Sequence, residues 1–327
     1  MTDNGKTGVV LLNLGGPDSL DAVKPFLFNL FSDPDIINFP LSFLFRKRLA
    51  KLISDKRSEK VKLQYSQIGG NSPLLDLTMK QAAALEKLLK TKINAKVYLA
   101  MRYWHPFTEE ALSEMEKDGV ERIIQLPLYP HYSSSTTGSS VNEWNRIVES
   151  HPAIKSIETK LVEHYYDFPP YIDAIVENIN ITLEKFPENV RNNVNILFSA
   201  HGTPMKLVRQ GDPYSKHIAQ TVKLVMERGK YQQKHYLCFQ SKVGPQKWLE
   251  PKTIDVIEKL ADEGVKNLLI IPIAFVSDHL ETLYEIGIEF RHLAKEKGVE
   301  QFEVMPALND SPKFVEALSE LVIICLD

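Results

Sequence analysis

Short apolar runs alternate along the chain with longer stretches whose apolar positions recur at three- and four-residue steps. The short runs are Gly8–Asn13, Ala95–Met101, Arg122–Leu128, Val194–Ser199, Lys234–Cys238 and Asn267–Ile273, and each predicts a β-strand. The helical period predicts helices over Thr108–Lys117, Thr253–Asp262 and Leu280–Lys295. Strands that are apolar throughout, rather than alternating, are covered on both faces. Spaced by helices, they predict parallel sheets and the α/β class.

The pattern also repeats. TEEALSEMEKDGVERIIQLPLY at Thr108–Tyr129 precedes TIDVIEKLADEGVKNLLIIPIA at Thr253–Ala274 by 145 residues without a gap, so that Gly119 meets Gly264 and Pro127 meets Pro272. Upstream, KVYLAMRY echoes KHYLCFQS, and LGGP at Leu14–Pro17 echoes HGTP at His201–Pro204. Three echoes in one order predict two similar Rossmann-like halves, each a parallel sheet flanked by helices. The boundary is expected between Asn142 and Asn193, where EKFPENVRNN is polar and turn-rich, giving halves of 1–150 and 151–327. A ligand cleft is expected at the carboxyl ends of the strands, between the halves.

Composition narrows the classes of function. The 327 residues carry 39 Lys and Arg against 42 Asp and Glu, a net charge of −3, so there is no basic field for nucleic acid. Two cysteines, Cys238 and Cys325, are too few for a disulfide framework or a four-thiolate cluster. The longest apolar run, Leu268–Val276, has nine residues and an internal proline, so it reads as a buried strand rather than a membrane span. The first twenty residues lack the basic-then-apolar order of a signal peptide. A cytoplasmic α/β enzyme or binding protein is expected.

Candidate chemistry gathers after the strands. His201 follows NILFSA on a turn opened by Gly202, where an imidazole can take a proton or bind a borderline metal, or simply hydrogen-bond the turn. Downstream, SDHLETLYEIGIEF sets Glu281, Glu285 and Glu289 at four-residue spacing on one stripe, a route for protons or divalent cations. The competing expectation for Glu281 is a capping box with Asp278 at the N-cap. Leu280, Leu283, Tyr284 and Ile288 are expected to face the core. Tyr65, Ser72, Arg102, Tyr103, Tyr129 and Trp248, with the hydroxyl-rich loop His131–Ser140, would suit a flat aromatic ligand bearing carboxylates. LNLGGP is not a dinucleotide fingerprint and no Walker pattern occurs, which disfavours a nucleotide cofactor.

Taken together, LNLGGP, QYSQIGGNSP, MRYWHP, PLYPHYSSSTTGSS, FSAHGTP, FQSKVGPQKWLEP and SDHLETLYE resemble the ferrochelatase family over nearly the whole chain. The resemblance implies a lyase that inserts ferrous iron into protoporphyrin IX to form protohaem, within a porphyrin cleft between the halves. It implies His201 and Glu281 as catalytic residues and metal ligands. Substrate contacts are implied for Tyr65, Ser72, Arg102, Tyr103, Tyr129, Trp248 and His279, with Arg102 and the hydroxyl loop on the propionates. With two cysteines the chain resembles the cluster-free bacterial form, so neither an iron–sulfur cluster nor another cofactor is expected. A cobalt chelatase acting on a more reduced tetrapyrrole, or a porphyrin carrier, would share part of this pattern.

PLSFLFRKRLAKLI, residues 40–53, has no acid and four cations, and its Leu41, Leu44, Phe45, Leu49, Leu52 and Ile53 recur at helical steps. In the resembling family this segment forms a lip over the porphyrin mouth. A basic amphipathic helix there predicts peripheral contact with an anionic membrane, the alternative being a helix packed on its own domain.

Overall fold

The computed structural model describes residues 5–37, 42–242 and 246–326. The chain divides into two units, one of residues 1–164 with 315–327 and one of residues 165–314.

In the first unit the order is β1 (Thr7–Asn13), α1 (Val23–Ser32), α2 (Ser42–Ser66), α3 (Leu74–Leu89), β2 (Ala95–Met101), α4 (Thr108–Lys117), β3 (Arg122–Pro127), α5 (Ser139–Val148), α6 (Pro152–Lys155) and β4 (Glu158–Leu161). The strands form a four-stranded parallel sheet in the order β2-β1-β3-β4. All seven residues of β1 are buried, as a central strand covered on both faces must be.

In the second unit the order is α7 (Pro169–Leu183), α8 (Glu188–Arg191), β5 (Asn195–His201), α9 (Met205–Arg209), α10 (Tyr214–Gly229), β6 (His235–Gln240), α11 (Thr253–Asp262), β7 (Asn267–Pro272), a wide π-type helix over Glu281–Phe290, α12 (Arg291–Glu296) and β8 (Gln301–Val304). Its parallel sheet has the order β6-β5-β7-β8, so the topology of the first unit recurs. The last helix, α13 (Pro312–Leu326), runs on into the first unit.

The 145-residue repeat is structural. α4 and α11, and likewise β3 and β7, begin and end at equivalent residues. Ala111, Leu112 and Met115 bury one face of α4, and their equivalents Val256, Ile257 and Leu260 bury one face of α11. Each face packs into the core of its own sheet, beside Val10, Leu12 and Ile123 in the first and beside Leu197, Leu268 and Ile270 in the second. Gly119 and Gly264 end the two helices with left-handed φ of 62° and 82°, a region closed to most side chains.

Four expectations need correction. The boundary moves from 150/151 to 164/165, because β4 pairs with β3 and ties residues 158–161 to the first sheet. The C-terminal residues also leave the second half, with Lys92 Nζ donating to Ser319 Oγ at 3.3 Å and Lys160 Nζ to Leu326 O at 3.2 Å. The stretch Leu280–Lys295 is a π-type helix followed by α12 rather than one α-helix. With that wider pitch the buried positions become Thr282, Ile286 and Phe290, while Leu280, Leu283, Tyr284 and Ile288 are only half-buried. Finally, His131–Ser140 is no open loop, since Ser134–Gly138 form a π-type turn leading into α5.

Because Gly119 and Gly264 face open space, an added methyl meets no atom and strain comes from φ alone. Gly119→Ala and Gly264→Ala should each destabilise by about 1 kcal/mol and add in the double variant. Urea unfolding checks this, and a neutral effect at either position would refute it.

Candidate functional site

β5 is buried along its length until its last residue, His201, which is half-buried where the strand ends. His201 Nδ1 lies 2.7 Å from Gly202 O. A carbonyl oxygen only accepts, so Nδ1 carries the hydrogen and the lone pair is left on Nε2. Burial pushes the imidazole below its ordinary pKa, partly offset by the charge of Glu281 and the carbonyl contact, so the neutral form is favoured. The Tyr214 hydroxyl donates to His201 O at 2.9 Å and fixes the strand end. The Trp248 and Phe275 rings stand 6.2 Å and 6.4 Å from the imidazole, centroid to centroid.

The loop after β7 brings the second histidine. His279 Nδ1 donates to Ser277 O at 3.0 Å, and Nε2 is 3.1 Å from Glu281 Oε2. An oxygen thus faces each ring nitrogen of His279. Phe275 packs on His279 at 4.2 Å and thus touches both imidazoles. The expected capping box is absent. Asp278 instead accepts from the Thr282 hydroxyl at 2.9 Å, Thr282 Oγ1 accepts from His279 N–H at 3.0 Å, and Glu281 turns to His279.

Glu285 is held by the N–H of Ser241 at 3.1 Å and by the Ser241 hydroxyl. Burial, with the charges of Glu281 and Glu289 adding to it, pushes its carboxyl up to about 7 despite those hydrogen bonds. Ser241 has a left-handed φ of 64°, and Glu285 fastens that turn. A cavity of about 340 Å³ is lined by Gly202, Gln240, Ser241, Trp248, Glu285 and Glu289 among others. Glu285 and Glu289 therefore border the same cavity as the turn after His201. Among the described residues no three His, Cys, Asp or Glu side chains converge to hold a metal together.

The remaining predicted residues lie in the first unit. Arg102 is committed internally, with Nη2 3.0 Å from Asp33 Oδ2 and Nε donating to Ser139 Oγ at 2.8 Å. The Tyr103 hydroxyl donates to the same Asp33 oxygen at 2.6 Å, and the Ser139 hydroxyl donates to it as well. Burial raises the Tyr103 phenol well above its ordinary range, and the Asp33 charge raises it further. Asp33, the fully buried centre of this network, escapes a sequence reading because FSDPDI looks like an ordinary turn. Phe275 escapes for a similar reason, since it sits inside an apolar run.

The Ser72 hydroxyl accepts from Leu74 N–H at 3.3 Å at the start of α3, and a Cβ on Gly16 would run into it. Tyr65 is buried, and its carbonyl accepts from Gly70 N–H at 2.8 Å. Tyr129 is half-buried, and burial of its hydroxyl raises the phenol. The structure thus gathers His201, His279, Glu281 and Trp248 within one unit. It sets Tyr65, Ser72, Arg102, Tyr103 and Tyr129 within the other.

Glu285 also has a consequence for stability. Its folded pKa lies above the ordinary 4.5, so what it contributes is fully present below about pH 4.5 and is lost as pH rises through about 7. Glu285→Gln should therefore gain stability relative to wild type across that window and run parallel to it above. Denaturant titrations at several pH values check this, and a pH-independent difference would exclude the shifted carboxyl.

Comparison with known proteins fits this geometry. The family model for ferrochelatase matches residues 6–324. The ferrochelatase of Aquifex aeolicus is 49% identical over 320 residues, covering 97% of this chain and 98% of its own. That of Geobacter metallireducens is 49% identical over 317 residues, with the same coverage. That of Gloeothece citriformis is 47% identical over 321 residues, covering 98% of this chain and 82% of its own. Among solved structures, SirB from Bacillus subtilis with Fe3+ superposes with a TM-score of 0.56 at 13% identity, over 97% of this chain and 94% of that one, a likeness of fold alone. With the family model spanning nearly its whole length and relatives sharing almost half its residues, the chain belongs to the ferrochelatase family.

Proposed function

We propose that His201 is the proton acceptor and metal ligand of the family's reaction, insertion of ferrous iron into protoporphyrin IX. The observation that carries this is the fixed tautomer. Nδ1–H is bound to Gly202 O, burial keeps the ring neutral, and Nε2 holds an unprotonated lone pair at neutral pH. Insertion must remove two pyrrole protons and strip water from Fe2+, and a lone pair in a partly dehydrated site serves either step. Glu281 is its partner for proton or metal, with His279 Nε2 3.1 Å from its carboxylate. Glu285 and Glu289 extend the acidic route along the cavity. Iron here is a substrate, and no resident cofactor enters the reading.

Trp248, beside His201, is proposed to meet the macrocycle through its ring face, and Tyr65, Ser72 and Tyr129 are likewise proposed as substrate contacts. For Arg102 and Tyr103, the network around Asp33 supports fixing the wall of the site rather than gripping a propionate.

His201→Ala should lower iron insertion by roughly two to four orders of magnitude while protoporphyrin still binds, as loss of a general base does. Glu281→Gln should lose activity steeply with stability changed by less than about 1 kcal/mol, because its carboxyl is part-exposed and caps no helix. Metallation kinetics together with porphyrin fluorescence titration test both. A His201→Ala enzyme retaining a tenth of wild-type turnover would overturn the assignment.

The membrane contact rests on α2. It buries Ala50, Ser54, Ser58, Val61 and Tyr65. Its outer face exposes Leu44, Phe45 and Leu52 at 58%, 51% and 68%, beside exposed Lys47, Arg48 and Lys51. Of the expected apolar set, Leu49 and Ile53 are half-buried and Leu41 lies outside the described residues. No helix among the described residues is long and apolar enough to cross a membrane. An apolar, basic outer face supports a helix lying on an anionic bilayer, each cation contributing about 1 kcal/mol, and passing lipophilic porphyrin to an otherwise cytoplasmic enzyme. Wild type should co-sediment with anionic liposomes at low salt, and a variant with glutamate at Arg46, Lys47, Arg48 and Lys51 should not. Equal binding by the two, or none by either, would sink the idea.

A further inference from the structure

Asn309 lies in the turn after β8, with a left-handed φ of 46° that asparagine tolerates better than most residues. Three hydrogen bonds join it to the loop that carries His279. Its Oδ1 accepts from Asp278 N–H at 2.9 Å, its Nδ2 donates to Asp278 Oδ2 at 2.8 Å, and its own N–H donates to Val276 O at 2.7 Å. The other carboxylate oxygen of Asp278 accepts from the Thr282 hydroxyl at 2.9 Å and from Ala307 N–H at 3.4 Å. Thr282 Oγ1 then accepts from His279 N–H at 3.0 Å, and Thr282 itself is buried in the first turn of the π-type helix. The backbone on either side of His279 is thereby fastened to the turn after β8 and to the helix at once.

We infer that Asn309 is a positioning residue for metallation, forming with Asp278 and Thr282 a clasp that fixes the turn from which His279 and Glu281 project. This rests on the metallation role proposed for Glu281, which His279 contacts. Asn309 touches neither side chain in any of these bonds and acts through the backbone. The 3.1 Å contact of His279 with Glu281 spans only two residues of that backbone. Misplacing a catalytic group by about 1 Å can cost roughly a hundredfold in rate, so a clasp on this turn bears on turnover more than on substrate binding.

The reciprocal pairing of an amide with a carboxylate makes the inference testable by exchange. Asn309→Asp sets two carboxylates face to face, and Asp278→Asn sets two amides face to face. Made together, they restore complementarity. The amide at 278 can accept from Thr282 and donate to the carboxylate at 309, which also accepts the N–H of 278. Each single variant should lower kcat for Fe2+ insertion about tenfold or more with the protoporphyrin KM within about twofold, and the exchange should return kcat to within about threefold. Asn309→Gly keeps the left-handed backbone accessible but loses the amide, so it should stay folded and show the same loss of kcat.

Folded single variants with wild-type kcat, or an exchange no better than the worse single variant, would overturn the clasp. So would a lowered Tm with unchanged kcat per folded molecule. Glu281→Gln run alongside separates the two levels. If it is inactive while Asn309→Gly is fully active, the clasp fails and the site reading stands. If it too turns over normally, the site reading itself fails.

Discussion

A buried parallel strand that ends at a histidine is the constraint from which the rest of the site follows. β5 lies between β6 and β7 with both faces covered, so its backbone has no freedom to shift. The chain leaves the sheet at Gly202, whose N–H donates to Gln240 O at 2.8 Å. A Cβ there would lie 3.0 Å from that same oxygen and 3.3 Å from the Trp248 ring. Glycine at 202 thus permits three things together: the close crossing of β6, the packing of Trp248, and the turn that brings Gly202 O within reach of Nδ1. The tautomer of His201 is in this sense decided by a sheet and by a missing methyl group.

Much of this is legible in the chain because burial writes itself as pattern. The six strands β1, β2, β3, β5, β6 and β7 are apolar runs, and α4 and α11 announce themselves by matched stripes at a fixed offset. The edge strands β4 and β8 leave no such trace, since ETKL and QFEV are short and half-exposed. The π-type helix is illegible for a different reason. Its four-residue glutamate spacing is equally good in an α-helix, and only packing decides that Thr282, Ile286 and Phe290 turn inward. Asp278 followed by Glu281 reads locally as a capping box. The reading fails because Asn309, thirty-one residues on, supplies a better partner for Asp278 than the helix does. Asp33 shows the same limit, for its value lies in Arg102, Tyr103 and Ser139, far away in sequence.

The duplicated scaffold separates what the fold provides from what the side chains provide. Both units carry a π-type segment after the third strand, over Ser134–Gly138 in one and Glu281–Phe290 in the other. At the 145-residue offset, Glu281, Glu285 and Glu289 correspond to Thr136, Ser140 and Trp144. One copy keeps carboxylates beside a cavity, while in the other Ser140 and Trp144 are buried. The fold alone would not identify the reaction, because a solved structure described as a sirohydrochlorin chelatase shares it at a TM-score of 0.52. What distinguishes this chain is the set of residues hung on the strand ends, which is also where the sequence motifs lie.

Those residues hold protons by desolvation more than by charge, and this shapes what the site can do. Burial is the largest influence on both His201 and Glu285, favouring the neutral imidazole and the protonated carboxyl. Beside them, His279 Nε2 and Glu281 Oε2 lie 3.1 Å apart. His201 and Glu285 are therefore both biased towards their neutral forms chiefly by burial. A site charged in advance would attract Fe2+ strongly and release it reluctantly. In a site biased towards neutrality, a dication entering beside Glu285 would favour loss of its proton, so that carboxylate charge grows with metal binding. The two protons that the porphyrin ring gives up need an acceptor of their own, the role proposed for the unprotonated Nε2 of His201.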